Sequence, residues 1–178
     1  MVRNDGRKEY ELRPIRIQTG FAGNADGSAL IEWGRTRVLC TAMLEERVPP
    51  FREGTGLGWL TAEYAMLPAS TPVRRARERA VPDGRSTEIR RLVGRALRVV
   101  IDFAALGERT VWIDCDVIEA DGGTRTASVT GAYVALCLAA RSWLEKGIVT
   151  ANPVTGAVGA VSVGIVDDTP VLDLPYEE

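Results

Sequence analysis

The apolar residues of this chain recur with two different periods. A period of two, which is typical of β-strands, marks several short stretches. The predicted strands lie at residues 11–19, 28–33, 37–44, 59–64, 111–117, 156–166 and 171–174. Turn-forming residues at 34–36 and 167–170 join neighbouring strands, so these two pairs are expected to form hairpins.

A helical period marks two longer stretches. Ser86 has the character of an N-cap, and the helix that it begins carries an apolar stripe. This stripe comprises Ile89, Leu92, Val93, Ala96, Leu97 and Val100. The second helix runs from Thr124 to Lys146, with an apolar face of Val129, Ala132, Tyr133, Leu136, Cys137, Ala140 and Leu144. The order of elements favours an α+β sandwich with both helices packed on one face of a sheet.

Two glycines stand between the strand at 111–117 and the second helix. The first turn of a helix has unpaired backbone N–H groups and the positive end of the helix dipole, so an anion is favoured there. Gly122 and Gly123 allow an anion to approach, Thr124 offers a hydroxyl, and Arg125 offers a guanidinium group. The same residues also fit a simple helix cap, and their spacing does not separate the two interpretations.

Two aspartates on the preceding strand form a second candidate site. Asp114 and Asp116 lie on the face opposite Ile113 and Cys115. Two carboxylates on one face could help to hold a metal ion. A solvent-facing pair on an exposed sheet face is the more usual local arrangement, and the spacing alone does not decide between them.

The composition indicates one soluble domain. The chain has 178 residues, of which 46% are apolar, and a net charge of −2. We expect neither a signal peptide nor a stretch of membrane-spanning length, and therefore a cytoplasmic protein without membrane contacts. Cys40, Cys115 and Cys137 lie in apolar segments without metal-ligand spacing and are expected to be buried free thiols.

The basic and titratable residues limit the kinds of catalytic site that this chain can form. Histidine is absent from this sequence, which excludes Ser-His and Cys-His nucleophilic sites and most catalytic zinc sites. Twenty of the 22 basic residues are Arg, whose planar fork suits bidentate binding of phosphate. Any chemistry must therefore use carboxylates, arginines, backbone donors or a hard metal ion.

The arginines are concentrated in one segment. Nine of them lie between residues 74 and 98 against three acidic residues, so this segment carries +6 and the rest of the chain −8. Such asymmetry in an acidic chain indicates a surface for a polyanion, with a solvated loop as the alternative for residues 74–79. Arg85 is expected near the start of the first helix, where a simple capping role also fits. Residues 1–7 contain a polar, turn-prone stretch at 3–7, and taken alone they predict a loose tail, with arginines that pack on a neighbouring surface as the alternative.

Several motifs resemble the ribonuclease PH family, phosphate-dependent 3′-to-5′ exoribonucleases related to polynucleotide phosphorylase and to exosome ring subunits. The resemblance rests on Arg-Asn-Asp-Gly-Arg at 3–7, Gly-Trp-Leu-Thr-Ala-Glu-Tyr at 58–64 with Met-Leu-Pro at 66–68, Gly-Arg-Ser-Thr-Glu-Ile at 84–89, Asp-Cys-Asp-Val at 114–117, and Ala-Asp-Gly-Gly-Thr-Arg-Thr-Ala-Ser at 120–128. These motifs follow one another in the order of the family. Pro72-Val73 departs from the His-Thr usual before the loop arginine, which leaves the path of that loop open.

The resemblance implies an activity and a set of residues that carry it. The activity is the trimming of tRNA precursor 3′ ends by phosphorolysis, with inorganic phosphate as co-substrate, Mg²⁺ as cofactor and nucleoside diphosphates as products. The implied phosphate site consists of Arg85, Gly123, Thr124 and Arg125, of which Arg85 and Arg125 also act in catalysis. The implied RNA contacts are Arg74, Arg77 and Arg79.

The resemblance also implies an architecture. The expected fold is the ribosomal-S5-domain-2-like sandwich with a mixed sheet and two long helices, assembled as a homohexamer that is a trimer of dimers. Residues 1–178 are expected to form a single domain of this family that lacks its C-terminal portion. Family members continue past the position of residues 172–176 into an acidic stretch whose two aspartates bind the magnesium, so no metal ligand of this chain is assigned. The alternative function is that of a non-catalytic, exosome-like ring subunit that binds RNA or partners only.

Overall fold

The computed structural model describes residues 3–77 and 84–177. Within these two ranges seven strands follow one another: β1 (Ile15–Thr19), β2 (Gly27–Trp33), β3 (Thr36–Glu45), β4 (Trp59–Met66), β5 (Thr110–Glu119), β6 (Val163–Val166) and β7 (Thr169–Leu172). The helices are α1 (Gly84–Arg98), the short α2 (Phe103–Leu106) and α3 (Thr124–Glu145), together with a 3-10 turn at Pro50–Arg52.

The first five strands form one mixed sheet in the order β1-β2-β3-β5-β4. Only the β4–β5 pair of this sheet is parallel, and the other pairs are antiparallel. The two predicted hairpins are present as β2–β3 and β6–β7, and the second forms a separate two-stranded sheet. The strand predicted over residues 156–166 is too long, because only Val163–Val166 pair with β7. In the second hairpin Asp167 and Asp168 both adopt a positive φ, as a tight turn between twisted strands requires. The predicted α+β class with a mixed sheet is confirmed.

Both long helices pack on the same face of the sheet, α3 over β2 and β3 and α1 over β4. The helix α3 lies close to the strands, since a Cβ atom at Gly131 would be 2.8 Å from both Cys40 Sγ and Ile31 Cγ2. Small residues therefore face the sheet, and the buried stripe passes through Ala135, Ala139 and Trp143. The predicted apolar face of α3 is shifted relative to this buried stripe. Leu144 belongs to the predicted face, but its side chain is exposed, so the prediction of burial is wrong at this position.

The helix α1 begins earlier than predicted and covers less of its predicted stripe. It begins at Gly84, so Ser86 lies inside the helix and is buried rather than acting as an N-cap. Leu92 is exposed, contrary to the prediction, because a helix over the edge strand β4 has neighbours along only a narrow line. That line is formed by Ile89, Val93 and Leu97, which are fully buried.

The N-terminal residues are not a loose tail. Arg3 is 2% exposed, and its guanidinium group donates to the carbonyl oxygens of Leu172 and Asp173 at 2.8 and 2.9 Å. The sequence alone could not indicate this burial, because the acceptors lie about 170 positions away. The N-terminal segment and the end of β7 are therefore held together.

The three cysteines are free, as predicted, but only two are buried. Cys40 and Cys115 face each other across β3 and β5. Their mutual hydrogen bond and their burial raise the pKa of the Cys40 thiol well above its usual range. Cys137 is only half-buried, so the expectation of burial is wrong there.

The apolar character of α3 also corrects one expectation. This helix is long and apolar enough, by length and composition, to cross a membrane. In the structure more than half of its most apolar window is buried, and the helix packs against the sheet and α1. Its apolar residues are thus those of a core helix.

Candidate functional site

A cavity of about 710 Å³ opens where β5 ends and α3 begins. It is lined by Met66, Thr71, Pro72, Val73, Arg74, Arg75, Arg85, Ala120, Gly122, Gly123, Thr124, Arg125, Thr126, Ser162 and Tyr176. All four residues of the implied phosphate site lie on this cavity. They come from the starts of both long helices, which the sheet places side by side.

The N-terminus of α3 forms the floor of the cavity. Gly122 and Gly123 have φ values of 74° and 68°, a left-handed conformation that strains any other residue. Gly123 is the N-cap, and no side chain of the described residues caps the helix at this position. The first intrahelical bond runs from Ala127 N to Gly123 O at 2.9 Å. The N–H groups of the residues between them have no acceptor within the helix, so this end can bind an anion.

Two arginines reach the cavity from different helices. Arg85 is the second residue of α1 and Arg125 the second residue of α3. Arg125 donates to Glu88 Oε2 from Nε at 3.1 Å and from Nη2 at 2.9 Å. Two guanidinium groups beside an uncapped helix N-terminus create a positive site suited to phosphate.

Thr124 is held in place by a buried phenol. Tyr64 of β4 donates a hydrogen bond of 3.0 Å to Thr124 Oγ1, and both side chains are buried. Burial raises the pKa of Tyr64, while the bond to Thr124 and the positive charges of Arg85 and Arg125 act in the opposite direction. The net shift is upward, so Tyr64 stays neutral at physiological pH and remains a donor. Arg85 and Arg125 thus both act electrostatically on the Tyr64 hydroxyl, which is bonded to Thr124.

The arginine-rich segment contributes unequally to the cavity. Arg74 lines it, whereas Arg77 is exposed and does not line it. Arg79 lies outside the described residues. Arg75, which the sequence did not single out, also lines the cavity, and its guanidinium group approaches Met66 Sδ at 3.3 Å. The predicted RNA contacts thus stay a prediction, with Arg74 placed beside the phosphate residues.

Further along α1 the arginines have structural partners. Arg90 forms an ion pair with Glu63 at 2.9 Å. Arg98 donates to Leu60 O at 2.9 Å, and its guanidinium carbon lies 4.2 Å from the centre of the Trp59 ring. These two arginines fasten α1 to β4. They account for part of the positive charge that the sequence assigned to a polyanion surface.

Sequence reasoning did not assign several cavity residues. Met66 lines the cavity, whereas Tyr64 does not line it and acts through its bond to Thr124. The period of two in β4 puts both on the buried face beside β5. Ser162 and Tyr176 come from distant segments and carry no local signal. The Ser162 hydroxyl is buried and has no hydrogen-bond partner among the described residues. Tyr176 is held at the cavity by a 3.4 Å bond from its backbone N–H to Asp121 Oδ1.

The two aspartates of β5 do not line this cavity and lie on the sheet face opposite to α1 and α3. Burial raises the pKa of Asp116. Burial also raises the pKa of Asp114, with the charges of Asp116 and Glu63 acting in the same direction. Among residues 3–77 and 84–177 no group of three or more His, Cys, Asp or Glu residues is arranged to hold a metal ion. The described residues alone therefore do not fit a magnesium site.

Comparisons with known proteins agree with this geometry. The sequence model of the 3′ exoribonuclease family, domain 1, matches residues 11–142. A ribonuclease PH of Syntrophomonas wolfei subsp. wolfei is 55% identical over 180 residues, and the match covers the whole of this chain and 75% of the relative.

Solved structures share the fold of this chain. A chain of the Archaeoglobus fulgidus exosome with RNA bound to the active site superimposes with a TM-score of 0.82 at 25% identity, covering 98% of this chain and 71% of that chain. Rice (Oryza sativa) Rrp46 gives a TM-score of 0.79 at 18% identity, covering 98% of this chain and 74% of the rice chain. At that identity the rice protein supports the fold alone. The family model and the extent of identity together establish that this chain belongs to the ribonuclease PH family of 3′ exoribonucleases.

Proposed function

We propose that this chain is a phosphate-dependent 3′-to-5′ exoribonuclease that trims the 3′ ends of tRNA precursors. The observation that carries the proposal is the convergence of Arg85 and Arg125 on the uncapped N-terminus of α3. The name and activity of the ribonuclease PH relative support the reaction, and tRNA precursors as substrate follow from the role of that family.

The reaction uses inorganic phosphate as the nucleophile. One phosphate oxygen attacks the phosphorus of the 3′-terminal nucleotide, and the bond from that phosphorus to the O3′ of the preceding nucleotide breaks. The leaving O3′ takes the electron pair of the broken bond together with the proton of hydrogen phosphate. The products are a nucleoside diphosphate and an RNA shorter by one nucleotide.

The residues of the cavity contribute binding and charge stabilisation. The N–H groups at the start of α3, with the Thr124 hydroxyl, orient the attacking phosphate. Arg85 and Arg125 lie where negative charge accumulates on the phosphate oxygens, and fixed cations there lower the barrier. No group in this scheme has to be a histidine, which agrees with the composition.

We include Mg²⁺ in the proposal as the ion that offsets charge on the transferring phosphate. The described residues do not provide a donor cluster for this ion, so none of them is assigned to hold it. The requirement for a divalent ion is therefore tested separately from the requirement for phosphate.

The RNA is proposed to reach the cavity along the arginine-rich loop. Arg74 lies on the cavity and Arg77 three residues further along the chain, so both suit contacts to the RNA backbone, with Arg79 continuing the series. We further propose that the protein is cytoplasmic and assembles as a homohexameric ring, a trimer of dimers. The exosome structures of similar fold support a ring-like assembly.

The test is to incubate a tRNA precursor that carries a 3′ extension with the purified protein, with and without inorganic phosphate and MgCl₂. We expect shortening of the 3′ end and release of nucleoside diphosphates only when both are present. Phosphate binding without degradation at any MgCl₂ concentration would favour the non-catalytic ring subunit. Nucleoside monophosphates as products would overturn phosphorolysis itself.

A further inference from the structure

The loop that leads into α3 rests on a buried arginine from the N-terminal segment. Arg13 precedes β1 and is 6% exposed. Its guanidinium group donates two hydrogen bonds to Asp173, from Nε to Oδ2 at 3.0 Å and from Nη2 to Oδ1 at 2.7 Å. This bidentate geometry fixes the plane of the guanidinium group.

The opposite edge of the same group faces the loop. Arg13 Nη1 donates to Asp121 O, and Nη2 lies 3.5 Å from Gly122 O. A Cβ atom at Gly123 would be 3.2 Å from Arg13 Nη2. The guanidinium group therefore lies directly against the left-handed turn that presents the N-terminus of α3.

A threonine holds the loop as well. Thr36, the first residue of β3, is fully buried. Its hydroxyl donates to Gly122 O at 2.6 Å and accepts from Asp121 N at 2.9 Å. Arg13 and Thr36 together engage the polar backbone groups of residues 121 and 122 that face the protein.

The carboxylate that orients Arg13 is itself firmly fixed. Asp173 also accepts from Arg13 N at 2.7 Å, from Trp33 Nε1 at 2.9 Å and from Arg7 Nη1 at 3.2 Å. Burial alone would raise the pKa of Asp173, but the hydrogen bonds and charge of Arg13 bring it below its usual range. The Asp173 carboxylate is thus charged at neutral pH, and its two bonds to Arg13 hold the guanidinium group in the plane that faces the loop.

We propose that Arg13 and Thr36 are positioning residues for phosphate, which hold the loop 121–123 in the conformation that directs the N–H groups of α3 into the cavity. This inference rests on the proposed function, because it assumes that phosphate binds there. Neither residue lines the cavity, so both act through the loop.

The expected effect follows from the freedom of two consecutive glycines. Gly122 and Gly123 adopt negative φ about as readily as positive φ when nothing holds them. If only a tenth of the molecules keep the binding conformation, the apparent dissociation constant for phosphate rises about tenfold. Saturating phosphate selects the binding conformation again, so kcat is expected to change much less than the phosphate KM.

The experiment compares two pairs of variants. Thr36→Val removes both hydrogen bonds at nearly constant volume, and Thr36→Ser keeps the hydroxyl. Arg13→Gln removes the guanidinium group, and Arg16→Gln makes the same change at an exposed arginine of β1. Binding of inorganic phosphate is measured by calorimetry, and KM values for phosphate and RNA are measured separately.

We expect Thr36→Val to weaken phosphate binding several-fold and Arg13→Gln about tenfold, with the RNA KM unchanged. Thr36→Ser and Arg16→Gln are expected to stay within about twofold of wild type. If Arg13→Gln does not fold, the threonine pair decides. Equal phosphate affinity of folded Thr36→Val and Thr36→Ser overturns the inference, provided that wild type binds phosphate and Arg125→Ala binds it more weakly than wild type. Absence of phosphate binding in wild type overturns the proposed function, and this inference with it.

Discussion

Arg125 donates two hydrogen bonds to one oxygen of Glu88, at 3.1 and 2.9 Å, and so joins the start of α3 to α1. Both side chains are about half-exposed, with 44% and 52% of their surface accessible. The bond keeps Arg125 at the edge of the cavity. It also means that a phosphate in the cavity and the Glu88 carboxylate compete for the same guanidinium group.

Replacement of Arg125 tests the phosphate site. Arg125→Ala is expected to weaken phosphate binding by about 1.5 to 3 kcal/mol, the range for hydrogen bonds to charged groups, and to leave folding intact. The measurement is a calorimetric titration with inorganic phosphate. Arg141→Ala is the matched control, since Arg141 lies on the exposed side of α3 and pairs with Glu145. Equal phosphate affinity of Arg125→Ala and this control would refute the assignment.

Replacement of Glu88 tests the competition. Exposed ion pairs contribute about 0.2–1 kcal/mol, so releasing Arg125 in Glu88→Gln is expected to tighten phosphate binding by up to about fivefold. Glu145→Gln, which releases Arg141 in the same way, is expected to have no effect. Weaker binding by Glu88→Gln would mean that Glu88 orients Arg125 for phosphate rather than competing with it.

The arginine-rich loop can be tested through the salt dependence of RNA binding. If Arg74 and Arg77 each neutralise one phosphate of single-stranded RNA, replacing both by Ala makes the negative slope of log affinity against log salt concentration shallower by about 1.4. The control is the double replacement of Arg16 and Arg35, two exposed arginines near the other edge of the sheet. An unchanged slope in the loop variant would show that these arginines do not contact the RNA backbone.

The sequence predicted those parts of the fold that depend on local patterns. The strands, the two hairpins and both long helices follow from periods of two and of 3.6, and the glycines at 122 and 123 marked the strand-to-helix junction. The burial of individual helix positions could not be predicted from these periods. Gly131 faces the sheet because the helix approaches closely there, and a glycine adds nothing to an apolar pattern.

The part of the candidate site that could be predicted also depends on local patterns. Gly123, Thr124 and Arg125 are adjacent in sequence, and Arg85 belongs to a motif of its own. The contact between Arg13 and Asp173 joins residues 160 positions apart, and polar residues give no periodic signal that would predict their burial. The structure supplies what the sequence could not, namely the support beneath the loop at residues 121–123.

The carboxylates of β5 are expected to make the stability of the protein depend on pH. Asp114 lies beside Glu63 of β4 in the parallel register and two residues from Asp116, and burial is the main cause of its raised pKa. Between the unfolded-state pKa of about 3.9 and this raised value, the folded protein binds more protons than the unfolded chain. The free energy of unfolding therefore falls as pH rises through that window.

Asp114→Asn removes this cost and is expected to stabilise the protein at pH 7, by less than about 1 kcal/mol because the group is partly exposed and screened. The gain should shrink as pH falls through the window and vanish below about pH 3.9, where Asp114 is neutral in both states. Urea unfolding of wild type and variant at a series of pH values measures this difference. A gain that is the same at every pH would show that it does not come from ionisation of Asp114. Stabilisation of wild type by MgCl₂ that Asp114→Asn lacks would instead place a metal ion at the aspartate pair.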